Sequence, residues 1–522
     1  MLIENNNFID INRIFWDRFK EPDINSFVLV ETSYHPVINH ANAVVGKMIS
    51  HAKNLRIAWI EFERTDKEIL RSYSANSRFL KFKKLPIMTK LWFIAASIYY
   101  YVVYILLTNR IHSFKYRGIP YGDFIYDGYL ARYSMATLHR FDTRIARVFF
   151  TLLMRDEQAR AILNEYPIEA VLVSHYIGMG VGPLSRVAMQ KNIPVYGRAG
   201  GHEIFNFYVL KNLKQMYDYP KKPSQGEVDS LVKDYKNSIE EDFKNFIEGK
   251  KDSSFSVFSI AYNNNIESDK TRENFLKDFS LPDKPLIFIM LHAFNDYPHS
   301  SFKSMLFRDY YDWFVQTYRF ALNDKSKNWI FKEHPASRFY PTKDISLKKM
   351  MQGLPAHMKF IPEDSVINAA VVLNVADLIV TCVGTAGVEM PALRGIPTVI
   401  AGDTFYDKLG FTIEPKSRKE YFNILANLII EPLSAEQQLR AQCCFLYLNK
   451  YCMMPFSAGP AITVEEIGGN PPELKETYPI RIMNVYKEKE DLIYREFIEY
   501  ANAIKDYNFV KLVRLPTKGQ RL

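Results

Sequence analysis

The 522-residue chain has little cysteine. Its four cysteines, Cys382, Cys443, Cys444 and Cys452, make no CxxC pair and no zinc-like spacing with histidine. A disulfide framework and a structural zinc site are thereby excluded, and a reducing, cytoplasmic compartment fits. The opening MLIENNNFIDINRIFWDRF has no basic start followed by an apolar core, so no secretory signal is expected. Zinc-finger spacing, an RNP-like aromatic motif and any block of five consecutive basic residues are all missing, so nucleic acid is not an expected partner. There is no short-period repeat and no long low-complexity tract, which excludes a solenoid and a largely disordered chain.

What is present is ordinary globular material, 48% hydrophobic and 24% charged, in a length that suits two large domains. The formal charge of +9 is compatible with a phosphorylated substrate or an anionic membrane face. One apolar segment, LWFIAASIYYYVVYILLT over residues 91–108, is at the lower length limit for a membrane span. Its four tyrosines would carry hydroxyls to bilayer depth, so a buried or membrane-surface helix is expected rather than a span.

Hydrophobic periodicity places strand, helix and strand in residues 25–64, from SFVLVET to LRIAWIEFE. PIEAVLVSHYIGMGVGPLSRVAMQKNIPVYGRAGG repeats the unit, with strands over 169–174 and 193–196 and a helix between them. Polar surface helices follow over 212–252. A second series then begins, with strands over 285–291, 329–332, 377–382 and 397–401 and helices over 306–322 and from Thr385. Residues 433–522 read mainly as helices. The expected fold class is α/β, with two Rossmann-like domains facing a cleft and a helical C-terminal extension. The expected extents are 1–265, 266–432 and 433–522.

Parallel sheets bind ligands at the carboxyl ends of their strands. Strand 377–382 ends in TCVGTAG and leads into the helix VEMPALRG. Small residues there admit a ligand to the backbone, and the helix start offers N–H groups and a positive dipole end to an anion. Gly384 and Thr385 thus read as a phosphate turn, neither a Walker A loop nor GxGxxG. Glu389, one turn further on, is placed to accept from ribose hydroxyls. In NWIFKEHPASRFYP, His334 follows a strand and is held extended by Pro335, while Lys332 adds charge. The loop LHAFNDYPHSSF brings His292 and Asn295 to the same end.

Two stretches, KEHP and TCVGTAGVEMPALRGIPTVIAGDTFYDKLGFT, carry a resemblance to bacterial capsule and surface-polysaccharide glycosyltransferases of the GT-B fold, the group of Kdo-transferring and sialyltransferase-like enzymes. Gly395-Ile396-Pro397-Thr398-Val399 and the run from Gly402 through Phe405-Tyr406 to Gly410 and Thr412 match as well, within residues 280–415. The turn departs from the group in having Gly384 and Val383 where a second hydroxyl residue is common. The resemblance implies that His334, Gly384 and Thr385 contact a donor phosphate and Glu389 the ribose. A nucleotide sugar, with CMP-linked acidic sugars favoured, is then a substrate rather than a cofactor, and no metal is required. The acceptor would be a glycan or lipid-linked glycan, with peripheral contact at the inner face of the cytoplasmic membrane.

The resemblance also implies a general base in the N-terminal domain. Asp123, in a glycine-preceded turn, is the first choice, with His202 and Glu203 in RAGGHEIF next; Asp127 and His175 also qualify. A CDP-polyol phosphotransferase, a GT-B-fold nucleotide-sugar epimerase and a non-catalytic membrane-associated scaffold are the alternatives.

Overall fold

Runs such as FVLV and AVLV have no polar face, the pattern of strands buried on both sides in a parallel sheet. In the computed structural model, which describes residues 2–62, 66–250, 270–300, 304–463, 466, 472–506 and 511–515, they occupy that place. The strands in chain order are β1 (Phe27–Val30), β2 (Arg56–Ile60), β3 (Arg78–Leu80), β4 (Lys115–Tyr116), β5 (Ile119–Pro120), β6 (Ile168–Val173) and β7 (Val195–His202). They continue as β8 (Ile204–Leu210), β9 (Leu286–Met290), β10 (Asn328–Lys332), β11 (Met358–Ile361), β12 (Leu378–Thr381), β13 (Thr398–Ile400) and β14 (Met454–Pro455).

The chain divides into two compact units, each with a Rossmann-like sheet. The first holds Met1–Ile125, Arg140–Met216 and Tyr451–Arg514. Its sheet runs β14-β8-β7-β6-β1-β2-β3, parallel from β7 to β3, with β8 and β14 antiparallel. Chain direction across the sheet reverses between β1 and β6, so a crevice opens at their carboxyl ends.

The second unit holds Tyr126–His139 and Tyr217–Lys450. All five strands of its sheet, β11-β10-β9-β12-β13, are parallel, and the reversal falls between β9 and β12. Ile287, Ile289, Trp329 and Val380 pack on one face under Trp313 and Phe314 of the helix Tyr310–Asn323. Phe288, Ile330 and Ile379 pack on the other beneath Val371, Val372 and Met390. Asp309 starts the helix by accepting from Asp312 N at 2.7 Å, and its other oxygen takes hydroxyls from Tyr126 and Thr137, both at 2.5 Å. That carboxylate holds the 126–139 segment in the second unit.

The expected extents therefore need correction. The boundary at 265/266 lies outside the described residues. Residues 433–522 are mainly helical, as expected, but they are divided between the units, and Met454–Pro455 among them pairs with β8 at the sheet edge. The strand expected over 193–196 in fact continues to His202 as β7, and β8 follows at once through a tight hairpin. Gly200 (φ 88°) and Gly201 (φ 116°) supply the left-handed backbone of a bulge just before the turn, whose tip is Glu203 (φ 41°). The apolar segment becomes the helix Ile87–Tyr101, continued by a π-helical turn at Val102–Leu107.

Inside the first unit, the Arg186 guanidinium grips Asp123 in a bidentate pair, one bond of 2.8 Å, and stacks 3.7 Å above the Phe124 ring. Both partners are buried. Arg186→Leu strands the Asp123 carboxylate and should lower stability by about 3 kcal/mol or more. A shift of the urea midpoint reads it, and an unchanged midpoint refutes the role.

Candidate functional site

The turn after β12 is built around glycine. A Cβ on Gly384 would stand 2.9 Å from Thr381 Oγ1 and 3.3 Å from His292 Cε1, and one on Gly387 would stand 2.0 Å from the Tyr406 hydroxyl. That hydroxyl donates to the Gly384 carbonyl at 2.6 Å and fixes the turn from beneath. Beyond it runs the helix Ala386–Arg394, ended by Gly395 in the left-handed conformation. Thr385 occupies its N-cap position, exposed, with a hydroxyl that makes no capping bond. Gly387 N and Val388 N already donate to the Gly384 and Thr385 carbonyls, at 3.0 and 2.9 Å, while the Thr385 hydroxyl stays exposed at the positive end of the helix.

His292 reaches this turn from the far side of the reversal. Its Nε2 accepts from Val383 N at 3.3 Å and lies 3.2 Å from Thr381 Oγ1, while the ring stacks on Tyr310 at 4.2 Å. Burial pushes its pKa down to about 3, and neighbouring His334 adds to the effect. The imidazole is therefore neutral and sets the turn. His334 follows β10 with an exposed edge; crowding of the rest of its ring, and then Lys332, lower its proton affinity. His292, His334, Gly384 and Thr385 thus gather at one end of one sheet, with Glu389 half-buried in the first helical turn.

Lys332 and Asn295 take other parts. Lys332 is 5% exposed and donates from Nζ to the Ile367 carbonyl at 2.7 Å, so it braces the sheet instead of facing a ligand. Burial lowers its pKa to about 8. Asn295 Nδ2 points to the Pro341 carbonyl at 3.4 Å and ties two loops together.

Glu333, which KEHP contains but to which no role was assigned from sequence, and Glu363 form a further polar group. They line a cavity of about 350 Å³ at the ends of β10 and β11, with His292, Arg338, Tyr340 and Lys348. Burial, then the Glu363 carboxyl, raises Glu333 to about 8. The position of Glu333, one residue beyond β10, was the available signal.

In the first unit, Glu31 and Ser174 meet where β1 and β6 end. The Glu31 carboxylate accepts from Ser174 N at 2.6 Å and Ser174 Oγ at 2.7 Å. Burial raises its pKa against the effect of those bonds and of Arg198. Arg198 donates from Nε to Asn42 Oδ1 at 2.6 Å, and burial lowers its pKa to about 10. Glu31 was also missed, although a carboxylate directly after VLV satisfies the strand-end rule.

The expected bases are placed differently. Asp123 has both oxygens on Arg186. Asp127 belongs to the second unit and accepts from Ser300 N at 2.7 Å and Ser300 Oγ at 2.5 Å. His202 is buried at the end of β7, and Glu203 is exposed at the hairpin tip, where its backbone bonds to Gly459 and Phe456. His175 lies beside the Glu31–Ser174 pair in sequence, and burial, then Arg198, lowers its pKa.

No protein-family model matches the chain, and no curated protein matches it. Among solved structures it is similar to MurG from Acinetobacter baumannii, at 11% identity over 86% of this chain and 99% of that one, TM-score 0.24. Anabaena HepE, in complex with UDP and glucose, matches at 9% identity over 90% of this chain and 100% of that one, TM-score 0.25. The wall teichoic acid polymerase TagF matches at 9% identity over 95% of each chain, TM-score 0.20. Likenesses this distant carry no weight for the chemistry.

A neutral buried histidine makes stability depend on pH. Unfolded, His292 takes up a proton near pH 6.5; folded, it does so only near 3, so its contribution is lost as pH falls through that window. His292→Gln should reduce the slope of unfolding free energy against pH, between pH 6 and 4.5, by about one proton. Denaturant titrations across that range measure it, and an unaltered slope would show that the ring is not held neutral.

Proposed function

We propose that the chain is a glycosyltransferase of GT-B type that uses a nucleotide-sugar donor. The observation that carries this reading is the turn Thr381–Thr385 at the β9/β12 reversal, a glycine cradle at a helix start with His292 and His334 beside it. A donor phosphate there meets the positive end of the helix dipole, the Thr385 hydroxyl and a donated hydrogen bond from neutral His334, which stabilise charge on the leaving phosphate. Glu389 binds the ribose. These groups replace a metal ion. Resemblance in KEHP and in the 381–412 run supports a CMP-linked acidic sugar and a capsular or other surface-glycan acceptor, free or lipid-linked.

Glu31 is the base we assign to the acceptor hydroxyl. Its raised pKa makes it a stronger base than an ordinary carboxylate, and Ser174 fixes its orientation. Four buried free cysteines suit a reducing compartment such as the cytoplasm.

The test is a binding and turnover panel of CMP-, CDP-, UDP- and GDP-sugars with product masses. A glycoside supports the reading, whereas a phosphodiester or an isomerised free nucleotide sugar would replace it with phosphotransfer or epimerisation. His334→Ala and Thr385→Val should each lower kcat/KM about 100-fold, equivalent to about 2.7 kcal/mol of transition-state stabilisation, with unfolding midpoints unchanged. Glu31→Gln should lower kcat and leave donor affinity intact. Absence of binding to every nucleotide in the panel sinks the proposal.

A further inference from the structure

The helix Ile87–Tyr101 and its π-helical continuation have two faces of opposite character. Phe93, Ser97, Tyr101 and Ile105, four residues apart, are buried, and the helix packs against Arg144–Glu165 of the same unit. Leu91 (55% exposed), Trp92 (67%), Ile98 (54%) and Tyr99 (61%) face outward, with Ile87 and Met88 exposed at the start. Such a contiguous apolar surface marks an interaction site.

The charge carried by the segment itself is one-sided, although Glu157 pairs with its Arg117 at 2.7 Å. Residues 69–122 hold nine arginines and lysines and not one aspartate or glutamate, a local surplus as large as the net charge of the whole chain. Lys81 and Lys83 are drawn to Glu61 and Glu165, at 3.0 and 2.6 Å, but Lys84 and Arg110 stand exposed at the two ends of the apolar stretch and Lys90 lies within it. We propose that this face docks in the plane of an anionic lipid bilayer, with Leu91, Trp92 and Ile98 among the acyl chains and the lysines and arginines on acidic headgroups. Apolar residues, an exposed tryptophan and tyrosine, and a basic rim are the elements of interfacial binding. A stretch of 21 residues is long enough to cross a bilayer. The buried stripe, however, runs from Phe93 to Ile105 and keeps one side of the helix on its own unit, so it lies along the surface. A second copy is a poorer occupant, because it would set each basic rim against its equivalent.

The proposal stands apart from the glycosyltransferase reading, since vesicle binding requires no turnover. Of the five tryptophans, Trp16, Trp59, Trp313 and Trp329 are fully buried, so a change in emission on adding vesicles reports on Trp92. The full chain is mixed with vesicles of phosphatidylcholine alone or with about 30% phosphatidylglycerol. Expected are co-sedimentation with the anionic vesicles and a blue shift that Trp92→Phe abolishes. Partitioning should fall about 10-fold or more on neutral vesicles, in Leu91→Glu/Ile98→Glu and in Lys84→Glu/Lys90→Glu. Circular dichroism and nucleotide binding by the variants should match the parent. Failure to sediment, equal partitioning by parent and variants, or a concentration-dependent dimer that shields Trp92 without lipid would each overturn the proposal.

Discussion

A parallel sheet covered on both faces confines its working polar groups to the strand ends, and that constraint organises both units. β9 (LIFIM) and β12 (LIVT) are apolar along nearly their whole length, because a polar side chain there would lie against a core. His292 appears two residues beyond β9, and the glycine turn directly beyond β12. Chain reversal between these strands leaves room for the imidazole to reach the Val383 amide. β1 and β6 repeat the arrangement in the first unit, where Glu31 meets Ser174.

Polar groups within the scaffold are distinguished from those at the site by how fully they are engaged. Asp309 divides its oxygens among a helix start, a tyrosine and a threonine; Asp123 gives both to Arg186; Lys332 delivers its amine to a carbonyl. Such groups resolve the desolvation of a buried charge and fasten segments distant in sequence. Thr385 has a different standing, with an exposed hydroxyl that caps nothing at the start of its helix. Glu333 is different again: burial beside a cavity, and then the neighbouring Glu363, raises its pKa to about 8.

Much of the fold was legible from the sequence because its cues are local. Apolar runs of four to six residues marked β1, β6, β9 and β12, and Gly395 marked the end of the helix after the glycine turn. The strand-end rule placed His292, His334, Gly384 and Thr385 at one end of one sheet. It would also have found Glu31 and Glu333, both immediately beyond apolar strands; Glu31 sits in no motif, and within KEHP it was His334 that drew the assignment. Lys332 and Asp123 show the opposite failure, since their residue types suit chemistry and their partners, Ile367 and Arg186, lie 35 and 63 positions away.

Alternation and periodicity determined the α/β class, the two sheets, and a long apolar helix with a basic surround, because each depends on neighbours in sequence. Tertiary structure alone decided that 126–139 joins the second unit, that Met454–Pro455 extends the first sheet, and which face of the apolar helix stays uncovered. It also decided which carboxylates are consumed by ion pairs and which remain available. Those outcomes rest on contacts between residues far apart in the chain, and the energy of a buried charge is set by the partner it meets there.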